Sequence, residues 1–532
     1  MGKLTVTVID TVGIQHYIFG SNVLKQNVGA SDLVCCATQD WVYQKLEPLG
    51  ATNVDRDGHI NDQAAIEHDA LTSELVYAGG GNTVVLFRSP ETAREFTRRL
   101  TRRALLEAPG LQLVVAHSEF DWETEALSQV VEATLKKVSR KKQDHAVSTP
   151  LLGLGVTADC QYTGLPAVDK NNDDPPKRIS AEVKAKEAVF EAAHERLTRL
   201  PTLNGYDIPR DFDDFGRTKG ESSYIAVVHT DGNGMGKRVA AIADDHPKPE
   251  DNRPYIQAIR AFSKSVGKAA QEALNATYRQ LIQCMDHEGK IGGVVQLRDD
   301  NDGKKKIPLR PIVMGGDDVT LVCDGRLGLT LAEFYLRQVT AKPLADGKPL
   351  SARAGIAVVK SHFPFARAYA LAEDLARSAK RYLNERKAPL YDEQDLSAID
   401  WHFAVSGVVL DLKQIREREY TVEKGKLTMR PVRLGASVAS DWHSWETFAC
   451  IVAEFQSEKW AERRNKIKAL RDALRDGPDA VRQFLQAYGL PDLPAVPGNP
   501  DSANTGWIGK ECTCFDAIEA LEFFVPLEGG KQ

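Results

Sequence analysis

A chain of 532 residues is too long for one ordinary core, and at roughly one domain per 150 residues it implies three or four units. Hydrophobic residues at 42% and charged residues at 27% are near the globular average, which excludes wholesale disorder and a fibrous class. A net charge of -6 argues against a uniformly basic surface but leaves room for a local basic groove, so nucleic acid is neither required nor excluded.

In chain order, "KLTVTVID" predicts a first strand ending at Asp10, followed by a helix over about 22–46. Strands "ELVYA" and "TVVLF" flank the turn "GGGN" (79–82), a helix follows at 91–107, and "LQLVVAHSEF" reads as a closing strand. Residues 143–215 contain "DKNNDDPPKR" and a helical piece at about 180–199 and read as a connector. The strand "SYIAVVHT" (223–230) then ends at Asp231, and residues 253–286 place apolar side chains at helical spacing. Strands at 308–314 and 319–323 enclose "GGDD", with a helix at 327–341, a strand at 351–360 and a helix from Pro364 to about Tyr382. Beyond residue 400 the pattern predicts a hairpin, "FAVSGVVLDL" with "KLTMRPVRL", then helices at about 440–488 and 511–524.

The second half repeats the element order of the first. Overlaying "VIDTVGI" on "VHTDGNGM" pairs Asp10 with Asp231, and overlaying the two glycine turns pairs Gly81-Asn82 with Asp317-Asp318. A duplication explains both coincidences. The order β-α-β-β-α-β predicts an α+β protein with two ferredoxin-like domains in tandem, at 1–142 and 216–400, joined by the connector 143–215 and followed by a mostly helical domain at 401–532. In that topology the end of the first strand lies beside the central hairpin, so Asp231 approaches Asp317 and Asp318.

Adjacent aspartates in a glycine turn have two readings, a solvated turn or a cation site, and Gly and Asp alone favour the turn. Three converging carboxylates shift the balance, because they repel unless a cation joins them. Oxygen ligands without a nearby His/Cys cluster suit Mg²⁺ or Mn²⁺, and two such ions suit nucleotidyl transfer. The segment "TDGNGMGKR" offers the amides of Gly232, Asn233, Gly234, Met235 and Gly236 to a triphosphate, although it is neither a Walker A loop nor GxGxxG. His68-Asp69 lacks supporting residues for a metal phosphohydrolase, and "KKVSRKK" (136–142) reads first as a solvated helix end, second as a nucleic-acid contact. Eight scattered cysteines with no CxxC pair point to free thiols in a reducing cytoplasm. No apolar run reaches the roughly 18 residues of a membrane span, and Val6 stands where myristoylation needs Ser or Thr.

Three segments resemble the large subunit of type III CRISPR effector complexes, the Cas-ten family, also called Cmr-two. They are "GIQHYIFGSNVLKQNVGASDLV" (13–34), similar to a GIQ-x-x-IF segment followed by GAS-x-L; "VMGGDDVTLV"; and "SARAGIAVVKSHFPFARAYALAEDLARSAK" (351–380). The resemblance covers about residues 1–400 and implies palm domains of the polymerase type, the second converting ATP to cyclic oligoadenylate second messengers in antiviral defence. It implies Asp231, Gly232, Asp317 and Asp318 as ligands of two Mg²⁺ or Mn²⁺ ions, with Gly315, Gly316 and Lys380 at the nucleotide. The first palm, with Gly80, Gly81, Asn82 and Ser31, would hold a nucleotide without a full metal set. Guide RNA, target RNA and other effector subunits are the partners it implies, and no membrane. Many family members begin with an HD nuclease domain; this sequence starts at the first palm, so DNA cleavage is not expected. Where the family often carries zinc-binding cysteine pairs, Cys160 faces Thr163, so no zinc is expected. Two other readings remain: a diguanylate-type cyclase, since GGDD is close to GGDEF, and a scaffold subunit with a silent site.

Overall fold

The computed structural model describes residues 3–144, 155–215, 223–300, 302–385, 396–404, 411–435 and 441–527. Two sheets carry the architecture, and the strands named below are those of these sheets. In the first, β1 (Lys3–Val12), β2 (Ser73–Gly79), β3 (Asn82–Phe87) and β4 (Gln112–Asp121) run antiparallel in the order β2-β3-β1-β4. That is the ferredoxin-like order expected from β-α-β-β-α-β. Leu4, Val6 and Val8 of β1 are buried on one face and Ile9 on the other, which suits a strand at the centre of the sheet.

The second sheet repeats the order with β5 (Tyr224–Gly232), β6 (Leu309–Met314), β7 (Val319–Asp324) and β8 (Ala352–Lys360), and then extends it. A fifth strand, β9 (Ala398–Ala404), pairs parallel to β8, and the two-residue β10 (Val432–Arg433) pairs antiparallel to β9. The sheet therefore draws on chain beyond residue 400.

The first repeat carries α1 (Ile14–Phe19), α2 (Leu24–Thr38), α3 (Asp40–Leu46), α4 (Pro90–Glu107) and α5 (Leu127–Asp144). The single helix expected over 22–46 is broken at Gln39, whose φ of -130° leaves the helical region. Thr38 precedes the break and turns its hydroxyl back to the carbonyl of Val34 at 2.9 Å, a contact that bends helices. α4 begins as expected, with Ser89 accepting from the amide of Thr92 and Pro90 in the first turn.

The connector holds α6 (Ala181–Thr198), and the second repeat holds α7 (Met235–Asp244), α8 (Asn252–Gln283), α9 (Gly328–Thr340) and α10 (Phe365–Glu385). α10 lies directly on β8. A Cβ on Gly355 would meet the carbonyl oxygen of Ala372 at 1.9 Å, so only glycine permits this approach.

α8, 32 residues long, ties the repeats together. Its buried Arg260 donates to Asp62 (2.9 Å), Glu74 (3.1 Å) and the carbonyl of Leu75 (2.8 Å), and Arg253 donates to Glu74 at 2.6 Å. Glu74 is wholly buried on β2, so its charge is sustained by these guanidinium groups. Val8 of β1 and Val228 of β5 belong to one apolar core.

Among the described residues "FAVSGVVLDL" and "KLTMRPVRL" do not pair as the expected hairpin. Residues 405–410 lie outside the described part, Leu412–Glu419 is a helix capped by Asp411, and "KLTMRPVRL" contributes only Val432–Arg433 to the second sheet. Pro431 has no amide to donate, which confines pairing to the residues after it. Helices Trp445–Gln456, Glu458–Ala461, Arg464–Asp476 and Pro478–Ala487 occupy the stretch read as helical, and Phe515–Ala520 covers only part of the last expected helix. Among the described residues no helix is long and apolar enough to cross a membrane.

Candidate nucleotide and metal site

β5 ends at Asp231-Gly232 beside the β6–β7 turn, as the topology requires. Thr230 pairs with Val319, which brings Asp231 level with Asp318. The turn is closed by the Gly315 amide donating to the Asp318 carbonyl at 2.8 Å, and Gly316 takes φ +89°. A Cβ on Gly232 would fall 2.8 Å from Cβ of Asp317 and 2.9 Å from Cγ of Met235, so the strand end has no room for a side chain.

A cleft of about 750 Å³ opens here. It is lined by Asp231, Gly232, Asn233, Gly234, Met235 and Gly236 of the glycine-rich segment, by Lys237, by Asp317, by Arg353 on β8, and by Lys380, Leu383 and Asn384 on α10. Gly234 caps α7 in the left-handed region (φ +68°), so the helix presents the amides of its first turn at the cleft. Arg238 points away and anchors α7 through Asp346 at 2.7 Å. Lys380 is exposed and has no ion pair among the described residues. Gly315, Gly316 and Asp318 stand behind Asp317 and do not line this cleft.

The acids are under mutual strain. Burial and then the charge of Asp231 push Asp317 up to about 6, with Arg353 opposing. Burial, then Asp231, Asp317 and Glu373, push Asp318 up to about 7. The Asp318 side chain is 52% exposed, with the charges of Asp231, Asp317 and Glu373 around it. His229 lies beneath it, Nδ1 at 3.5 Å from Oδ1, and burial lowers the imidazole pKa and favours its neutral form.

The sequence reading missed two cations. Lys237 follows the glycine-rich segment and Arg353 lies inside a strand, and neither is singled out by a local pattern. Arg353 faces Asp231 across the β5–β8 ladder. Its guanidinium ion-pairs with Asp231 and donates to the Gly232 carbonyl (3.1 Å) and to Oδ1 of Asn233 (3.0 Å). The signal lies in strand register, which the sequence did not display.

Oxygen donors from three carboxylates and a backbone carbonyl suit Mg²⁺ or Mn²⁺, and the acids outnumber the adjoining guanidinium. The donor set is open, however. Among the described residues, the one group of acids and histidine whose ligand atoms all lie within 4.8 Å is Asp55, Asp57 and His59, on an exposed loop.

The first repeat mirrors this site with different charges. Asp10 pairs with Asn82 in the ladder, and Gly13 caps α1 at φ +68°, as Gly234 caps α7. Gly80 and Gly81 both have positive φ in the β2–β3 turn. Oδ1 of Asn82 is buried without a hydrogen-bond partner among the described residues. Lys142 of α5 reaches Asp10 at 2.6 Å, while Lys137 and Lys141 bind Ser118 and the Val115 carbonyl. The basic run thus packs along β4. Ser31 lies half-buried on α2, outside the cleft of the second repeat.

Fold and site together define a tandem ferredoxin-like α+β protein with a cleft at a glycine–aspartate turn. Among solved structures the chain is similar to a Csm1–Csm4 cassette in complex with cA4 (TM-score 0.51, 13% identity, 98% of this chain and 69% of that one). It is also similar to the cassette in complex with one ATP (TM-score 0.50, 13% identity, 98% and 70%) and to Csm1 in T. onnurineus (TM-score 0.50, 13% identity, 98% and 68%). These neighbours are Csm1 of type III CRISPR complexes, the family that the three sequence segments resemble, and at this identity what is shared is the fold. No protein-family model and no curated protein matches the chain.

Proposed function

We propose that the chain is a nucleotidyltransferase that converts ATP to cyclic oligoadenylates at the second repeat, as a type III CRISPR-like effector subunit in antiviral defence. The carrying observation is the convergence of Asp231, Asp317, the α7 amides, Lys237 and Lys380 on one cleft of about 750 Å³. ATP and cA4 accompany the neighbours' fold, which supports adenine nucleotides as substrate and product.

The first-turn amides of α7 and the amines of Lys237 and Lys380 bind the triphosphate by charge-assisted hydrogen bonds. Asp231, Asp317, Asp318 and the Gly232 carbonyl would hold two Mg²⁺ or Mn²⁺ ions. When bound, these supply charge neutralisation at the leaving pyrophosphate and activation of the attacking hydroxyl. The first repeat, through Gly80, Gly81, Asn82 and Ser31, presents a second nucleotide. Guide and target RNA and further effector subunits are the partners.

The test is mass spectrometry of products formed from mixed ATP and GTP with Mg²⁺ or Mn²⁺, with and without candidate RNA and partner subunits. Cyclic oligoadenylates support the reading, and a cyclic guanine dinucleotide replaces it with a diguanylate-type cyclase. One observation favours a scaffold with a silent site, namely that the carboxylates are not drawn together. A chain that binds RNA and partners but makes no product under any of these conditions is that scaffold.

A further inference from the structure

The guanidinium of Arg353 holds two groups at once that the metal reading needs. It ion-pairs with Asp231 and accepts no competitor easily, because it also donates to the Gly232 carbonyl at 3.1 Å and to Oδ1 of Asn233 at 3.0 Å. Only 7% of its side chain is exposed, against 35% for Asp231, so the pair is shielded on the arginine side and open on the acid side. Arginine does not lose its proton in proteins, so Arg353 opposes a dication at Asp231 for as long as it stays there. Arg353 also lines the same cleft as Lys237 and Lys380, which gives its charge a second place to act. The first repeat has Val114 at the corresponding ladder position opposite Asp10, so the device belongs to the second repeat alone.

We propose that Arg353 is a positioning residue that keeps the acid cluster open: without a divalent ion it holds Asp231 and the Gly232 carbonyl away from Asp317 and Asp318, and when the ion arrives with nucleotide it yields both and turns its charge to the phosphates. This rests on the reading of the acids as metal ligands. It explains why carboxylates brought together by strand register remain more open than the exposed trio Asp55, Asp57 and His59. It also makes a bare ion a poor ligand and an ion carrying triphosphate a good one, since the phosphates compensate Arg353 for the carboxylate it releases.

Titration of Mn²⁺ alone into metal-free protein, read by the loss of free-ion paramagnetic resonance, distinguishes the cases. Arg353→Met should bind Mn²⁺ roughly tenfold or more tightly than wild type, the effect of removing one adjacent like charge, while Arg353→Lys stays near wild type. With ATP present, Arg353→Met should raise KM more than it lowers kcat. Equal or weaker Mn²⁺ binding by a folded Arg353→Met overturns the inference and leaves Arg353 as a structural pin. Should that variant not fold, a structure of the wild type with Mn²⁺ and a non-hydrolysable ATP decides: Arg353 on a phosphate oxygen supports the inference, and an intact pair with Asp231 overturns it. No Mn²⁺ uptake by wild type, with or without nucleotide, overturns the metal reading and this inference together.

Discussion

Gly80 and Gly315 face each other across the two repeats. A Cβ built on Gly80 would lie 3.5 Å from the carbonyl oxygen of Gly315, so the glycine turns of the two repeats abut. The turns are joined from the side by α8, where Ser263 lies near Gly79 and Val266 near Gly316. Asn82 and Asp318, which the overlay of the two turns pairs, are therefore on one side of the molecule.

Replacing Asp317 and Asp318 together with Ala should abolish Mg²⁺-dependent product formation from ATP and leave the metal-free fold intact or more stable. Product mass spectrometry and thermal unfolding check both halves. A double variant that makes product as fast as wild type would reduce the turn to a turn.

Lys380→Ala removes an exposed charge that lines the cleft and makes no ion pair among the described residues. A charge-assisted contact of about 1–3 kcal/mol corresponds to a roughly ten- to hundredfold loss of ATP affinity. Calorimetric titration should show that loss with an unchanged melting temperature. The reverse pattern would assign Lys380 to helix stability.

Folding raises the pKa of Asp317 to about 6 and of Asp318 to about 7, above the ordinary 3.8. Between about pH 4 and 7 the folded chain therefore holds protons that the unfolded chain has released, and these groups make the metal-free fold less stable as pH rises. In EDTA, Asp318→Asn should be more stable than wild type at pH 8, with the advantage shrinking at pH 5. Mn²⁺ affinity runs the other way and should climb across the same window, since the ion needs the deprotonated acids.

Gly355→Ala forces a methyl group into the backbone of α10, 1.9 Å from the Ala372 carbonyl and 2.4 Å from the Ala376 amide nitrogen. The helix must shift, at a cost of about 3 kcal/mol or more. Because α10 carries Lys380, ATP affinity should fall with stability, which separates this variant from Lys380→Ala. Chemical denaturation paired with nucleotide titration measures the two effects.

Residues 1–400 were legible because duplication gave each pattern a second reading. The overlay that paired Asp10 with Asp231 also paired Gly13 with Gly234, and both glycines cap helices at φ +68°. The segment around Gln15 and Phe19 proves to be structural glue. Phe19 stacks on Tyr369 at 3.7 Å, and Gln15 donates to Glu373 at 3.0 Å, both across the repeats onto α10. Arg353 and Lys142 stayed hidden because their partners come from strand register and helix docking, which no local pattern encodes. Beyond residue 400, "KLTMRPVRL" alternates like a strand, yet Pro431 and competing turns leave only Val432 and Arg433 in the second sheet.

Lys142 gives the first repeat a cation that cannot diffuse away. Its amine is delivered to Asp10 by a helix that belongs to the fold, so the partner of that carboxylate is built into the chain. The duplicated halves have thus parted in charge. In the first a lysine of the chain meets the one acid, whereas in the second Asp231, Asp317 and Asp318 share Arg353, so an excess of negative charge remains in one copy of the two.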